Sequence, residues 1–308
     1  MQTIELDDMR TCPYCGKQYP DDAAVCAIDG ESLAASSADR KMVAGGWRSL
    51  MSWGTPKLPL DKQQKEWIEK SLQWLLKEFG EDFFLKHQTI LPEPSFFPDK
   101  YQGTEACVAK LVERVCSFMD VNSSLVEVDF FFDRDETASK HRLGGEGHHS
   151  GAAGLYFSKT SQEKQKKIAI NVSEFKTPTK LVATIAHELG HVILLGRGKI
   201  SHDDKDHEYL TDLITVFFGL GIFTANSAFQ FSQWQDHSHQ GWSASRLGYM
   251  SEEMFAYSLA AYAWMRGEKN PKWSGCLAMN VGHYFKQSLK YLEKGGQTSL
   301  RQLVQPKC

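Results

Sequence analysis

Residues 181–196 read LVATIAHELGHVILLG, a run in which two histidines and one glutamate interrupt an otherwise almost wholly apolar segment. Thr177, Pro178 and Thr179 supply a helix-start signal before it, and Gly196 and Gly198 a stop after it, so the pattern predicts a helix to about Leu195. His187 and His191 are four apart, which stacks their imidazoles on one face, with Glu188 beside the first. Burying three polar side chains in such a helix is costly unless they share a partner. A metal ion is such a partner. Neutral imidazole is the form that binds it, burial favours the neutral form, and Glu188 comes within reach of a water on the ion. The competing reading, two core histidines satisfied by hydrogen bonds, leaves Glu188 buried and unpaired.

Two imidazoles are one ligand short of a catalytic zinc site, which takes three protein ligands and keeps a position for water. The stretch SHDDKDHEYLTDLITVFFG (201–219) holds the candidates. Glu208 and Asp212 are four apart at the start of a long apolar helix, so both project on one side, one to bind the ion and the other to orient a ligand histidine from behind. His207 is an alternative ligand, His202 a weaker one, and Asp203, Asp204 and Asp206 read as a solvated acidic turn rather than a cation site.

H-E-x-x-H followed by E-x-x-x-D on the next helix resembles the gluzincin metallopeptidases, the thermolysin-like group of zincins, over roughly residues 150–225. The resemblance implies a catalytic zinc held by His187, His191 and Glu208, with Glu188 as general base and Asp212 as the carboxylate behind the ligands. The chain departs from the pattern at His207, where that group usually carries asparagine, and Arg197 stands where a metzincin would place its third histidine. The implied chemistry is hydrolysis of peptide bonds by a water that Glu188 deprotonates. Tyr249 and His239, in QDHSHQGWSASRLGYMSEE (235–253) together with His237, are equal candidates for donating a hydrogen bond to the oxyanion.

Upstream of the helix the hydrophobic period changes. LVEVDFFFD (125–133), AAGLYF (152–157) and KIAINV (167–172) read as three strands of one sheet, and AAGLYF as an edge strand able to add an extended peptide. GGEGHHSG (144–151) reads as a glycine-rich loop whose His148 and His149 are solvated. Helical spacing is read from Asp61, as N-cap, to about His87, and again over Thr104–Met119, where Cys107 and Cys116 are expected as small core residues. Residues 251–268 and 277–294 complete a helical C-terminal part, with His283 as a structural residue.

The first residues follow a different logic. CPYCGKQYPDDAAVCAIDGESL (12–33) places Cys12 and Cys15 in a C-P-x-C-G turn, and Cys26 repeats the outline with Asp29 where a fourth cysteine would stand. This resembles a small zinc-ribbon module. Three thiolates and a harder carboxylate make a weaker structural zinc site than four thiolates, and a vestigial knuckle is the alternative. No βαβ pattern surrounds the C-x-x-C to make it a redox pair. Residues 35–60 lack a period and read as a linker.

The 308 residues, 42% hydrophobic and 24% charged, have the balance of a globular chain, and the net charge of -3 gives no overall attraction to nucleic acid or anionic lipid. LITVFFGLGIFTA (213–225) is shorter than the roughly 20 residues of a membrane-spanning helix. The acidic start lacks a secretory pattern, so the chain is read as cytoplasmic, without nucleic-acid or membrane partners. The expected architecture is α+β: a zinc-ribbon-like module (1–34), a linker (35–60) and a zincin-like domain (61–308) with a small mixed sheet and a mostly helical C-terminal part. A peptide or protein is the expected substrate. The rival reading is a peptide-binding module that does not cleave and docks a partner through its ribbon; a non-peptide amide hydrolase is a third.

Overall fold

The computed structural model of the chain describes residues 9–11, 18–20, 58–132, 154–157, 166–236 and 250–303. Within these, the chain is mostly helical with two small sheets. In order come β1 (Met9–Thr11), β2 (Gln18–Pro20), α1 (Lys62–Phe79), α2 (Glu81–Lys86), α3 (Glu105–Phe118), β3 (Val126–Phe131), β4 (Gly154–Phe157), β5 (Lys166–Asn171), α4 (Pro178–Leu194), α5 (His207–Phe217), α6 (Gly221–Asp236), α7 (Glu252–Met265) and α8 (Met279–Glu293). No helix among the described residues is long and apolar enough to cross a membrane.

The predicted helix starts hold where a side chain can cap. Asp61 and Gln64 form a reciprocal capping box on α1, Thr104 accepts from Cys107 N on α3, and Ser251 accepts from Met254 N on α7. Thr177 does not cap α4 with its side chain; that helix starts with Pro178 in its first turn, where a missing N–H costs nothing.

Two predicted helices are each divided at a glycine. The expected run from Asp61 to His87 breaks at Gly80, whose φ of 91° ends α1 and lets α2 turn Phe83 and Phe84 onto Phe217, at centroid distances of 6.2 and 5.0 Å. The long apolar helix expected from Glu208 ends at Phe217, because Gly219 adopts φ 75° and its carbonyl accepts from Ile90 N at 2.9 Å. A side chain at residue 219 would run into the Gln88 carbonyl, so the two halves, α5 and α6, are set by a backbone contact rather than by their apolar residues.

The larger sheet has the order β3-β5-β4, with β3 parallel and β4 antiparallel to β5, as a small mixed sheet requires. Gly154 lies opposite Ile170, and β4 forms one edge. Helix α4 runs through the middle of the molecule, packed on α3, α5, α6, β4 and β5, and every residue from Leu181 to Leu194 is buried. Leu181, Ile185, Leu189 and Ile193 repeat every four residues and are wholly buried, each contributing about 1.5–3 kcal/mol. Leu58 and Leu60, assigned by sequence to the linker, are partly buried against this core. Cys116 is buried as expected; Cys107 is only half-buried. His283 is exposed and bonds Gln287 one turn on at 2.9 Å.

In the N-terminal segment β1 and β2 pair antiparallel, Thr11 opposite Gln18, on either side of the residues that contain Cys12 and Cys15. Cys12, Cys15, Cys26 and Asp29 themselves lie outside the described residues, as do His148, His149, His237, His239 and Tyr249.

Candidate metal centre

Helix geometry presents His187 and His191 on one face of α4, and the centre of the site depends on how closely α5 can approach that face. Gly190 decides this. A Cβ there would lie 2.9 Å from Thr211 Cγ2 and 3.1 Å from the Thr211 carbonyl, so α5 crosses α4 at the one residue of the motif without a side chain. The crossing brings Glu208, in the first turn of α5, over both imidazoles.

Glu208 Oε2 lies 3.1 Å from His187 Nε2 and 3.4 Å from His191 Nε2, and the three donor atoms fall within 4.8 Å of one another. Behind them, each ring is held by its other nitrogen. His187 Nδ1–H donates to Asp212 Oδ1 at 2.9 Å, and Asp212 Oδ2 accepts from Met250 N at 2.8 Å. His191 Nδ1 is 3.3 Å from Thr211 Oγ1; since that hydroxyl donates to the His207 carbonyl at 2.8 Å, it accepts from the ring. Each ring therefore keeps a proton on Nδ1, so that Nε2 is the nitrogen that faces Glu208 and, once unprotonated, the one that offers a lone pair to an ion.

His207 does not join the three but acts on one of them. Its Nδ1–H donates to the Asp204 carbonyl at 2.8 Å, and its Nε2 lies 3.1 Å from Glu208 Oε1, the oxygen turned away from the two rings. Glu208 is thus divided between its neighbours, one oxygen for each side. His202 stands farther out, its ring 6.5 Å from Tyr156 and 6.1 Å from His207. The acidic turn is employed locally: Asp204 caps Ser201 N at 2.8 Å, and Asp206 accepts from Trp67 Nε1 at 2.7 Å, fastening the start of α5 to α1.

Charge in the site is set by burial and by these contacts. Burial raises the Glu208 carboxyl, but hydrogen bonds from His187 and His191 outweigh it and hold the group well below the usual carboxylate range. Burial lowers His187, and Asp212 and Glu208 more than reverse this. His191 is pushed down to about 4, chiefly by burial, and stays neutral. Asp212 is raised by burial despite its bond to His187.

Glu188 is the exception among these groups. It is 5% exposed, burial pushes it up to about 8, and its Oε2 has no hydrogen-bond partner. The carboxylate is pressed under β4: a Cβ on Gly154 would lie 2.8 Å from Glu188 Oε1 and 2.7 Å from Thr184 Cγ2. A buried, unpartnered carboxylate oxygen beside three converging donors is the arrangement expected where a further ligand or ion completes the site. Two imidazoles, in the neutral form that binds a metal, and an anionic oxygen suit a borderline divalent cation better than a hard, oxygen-seeking one.

The expected five, His187, Glu188, His191, Glu208 and Asp212, are therefore brought together. Sequence reasoning missed Gly154, Tyr156, Thr211 and the role of His207. Tyr156 stacks on His191 with centroids 5.9 Å apart. Gly190 carried a readable signal, a glycine in mid-helix that signifies close approach; Thr211 and Gly154 carried none, because their partners come from other elements. No protein-family description, no curated protein and no solved structure matches the chain.

Proposed function

We propose that the chain is a zinc-dependent peptidase with a zincin-like domain of the gluzincin kind. The observation that carries this reading is the convergence of His187 Nε2, His191 Nε2 and Glu208 Oε2 beside the unpartnered Oε2 of Glu188. His187, His191 and Glu208 would hold the ion, and zinc, when bound, supplies a Lewis acid that polarises a peptide carbonyl and acidifies water. Glu188 Oε2 takes the proton of the attacking water and passes it to the leaving amine; its lack of another partner and its raised proton affinity suit both halves of that transfer. Asp212 and Thr211 keep the two ligand rings in the tautomer that leaves Nε2 free.

β4, an edge strand among the described residues, supports a peptide as substrate, since an extended chain could pair beside it with Gly154 permitting close approach above Glu188. Tyr249 and His239 remain the proposed oxyanion donors. Tyr249 is favoured, because the next residue, Met250, is buried and bonds Asp212 through its N–H. Cys12, Cys15, Cys26 and Asp29 are proposed to hold a second, structural zinc in a ribbon-like module available for a protein partner, and the protein is read as cytoplasmic.

The test pairs metal content with turnover across a peptide library. Zinc retained in Glu188→Gln with cleavage abolished, and zinc lost in His187→Ala, is the expected result. Equal cleavage by wild type and Glu188→Gln overturns the proposal; zinc binding without cleavage by any form turns it into a peptide-binding module.

A further inference from the structure

One cavity lies apart from the candidate metal site. It has a volume of about 550 Å³, within the roughly 300–1,000 Å³ range of small-molecule pockets, and lies between α3, the 92–101 segment, and the starts of α4 and α6. Val182 on its wall comes five residues before His187, about 140° round the helix axis, so the cavity and the metal face occupy different sides of α4.

Its interior and its rim differ in character. Phe97, Leu111, Val182 and Phe223 form the apolar part, with Phe97 and Phe223 packed edge to face at 5.6 Å. Lys100, Lys110 and Arg114 are the cationic residues of the lining. Arg114 is already committed to Asp99 at 2.5 Å. Lys100 and Lys110 are exposed and form no ion pair among the described residues. The other carboxylate of the lining, Glu93, lies toward Cys276, whose thiol is raised by burial and, secondarily, by Glu93. Cys107, also on the wall, has its thiol held below the ordinary value by the Thr104 hydroxyl and nearby backbone, with the Lys110 ammonium adding to the effect.

We infer that this cavity binds a small amphiphilic carboxylate, an unbranched acyl chain lying against the apolar wall with its carboxylate between Lys100 and Lys110. The apolar wall explains retention of the chain, and two exposed ammonium groups of the lining, without an ion pair among the described residues, explain its polarity. This assignment does not depend on the metal reading, because none of the cavity's residues contributes to that site.

The probe is decanoate, below its micellar concentration, against decanol as the tail without the charge, measured by equilibrium dialysis on the full chain. Decanoate is expected to bind at least tenfold more tightly than decanol. Lys100→Glu with Lys110→Glu should remove at least tenfold of that affinity, and decanoate should slow alkylation of Cys107 but not of Cys276, read by peptide mapping. Since both lysines are exposed, the double variant should melt with the wild type, and Leu111→Trp, filling the cavity, gives an independent loss of binding. Equal binding of decanoate and decanol, or affinity unchanged by the charge reversal, overturns the inference; a leucine-terminated peptide binding more tightly than decanoate reassigns the cavity to a peptide end.

Discussion

Two glutamates of this molecule are almost equally buried and oppositely treated. Glu69, on α1, is 2% exposed and Glu188, on α4, is 5% exposed. Glu69 Oε1 accepts from Tyr257 at 2.6 Å and Thr298 at 2.7 Å, with Lys65 Nζ at 3.0 Å, and Oε2 accepts from Ser299 N and Oγ, both at 2.9 Å. Glu188 Oε2 has nothing. Burial raises both groups, but at Glu69 the donors outweigh burial and the carboxyl ends below its ordinary value, whereas at Glu188 burial prevails and the group rises to about 8. A chain able to surround one buried carboxylate with five donors has the means to satisfy another. That it leaves Glu188 Oε2 without a hydrogen-bond partner among the described residues, beside three donors converging from two helices, is the difference on which the proposed catalytic role of Glu188 rests.

The contrast can be broken experimentally, most severely at Glu188. Glu188→Gln should lower peptide turnover by about 10²–10⁴-fold while leaving bound zinc and the melting temperature unchanged or improved; a variant that unfolds readily would make Glu188 an architectural residue after all. Glu69→Ala should do the reverse, costing about 3 kcal/mol in denaturant unfolding because its donors are stranded, with metal content per folded chain intact. Glu69 also predicts a pH dependence. Its folded-state value is depressed, so the stability it contributes is complete above the ordinary carboxylate range and is lost as the pH falls through the depressed value. The acid limb of an unfolding profile should flatten in Glu69→Gln, and an unaltered limb would refute the assignment.

Smaller effects sharpen the comparison. His207→Ala releases the second oxygen of Glu208 and should weaken zinc binding about 10- to 100-fold, with His207→Asn recovering part of it, as competition with a chelator would report. Thr298→Val removes one of the donors to Glu69 and should cost only about 1 kcal/mol, since four remain.

How much of this could be read beforehand differs between the two glutamates. The candidate metal face rests on local spacing, His187 to His191 along one helix and Glu208 to Asp212 along another, just as capping residues such as Asp61 and Ser251 act on their own helices. Such signals survive in a single sequence. Glu69 carries no such local signal, because its donors Tyr257 and Ser299 are 188 and 230 residues away. The breaks at Gly80 and Gly219 were hidden for a related reason: the apolar pattern runs on through them, and the decisive contact of Gly219 is with the backbone near Ile90. Gly154 was likewise unremarkable until β4 was laid over Glu188.

The bond from Ser299 to Glu69 also bears on the order of events during synthesis. When α1 leaves the ribosome, its carboxylate must stay hydrated, because three of the residues that donate to it, Tyr257, Thr298 and Ser299, have not yet been translated. The helix can seat itself fully only after the chain has emerged as far as Ser299, so an early helix is among the last to lock.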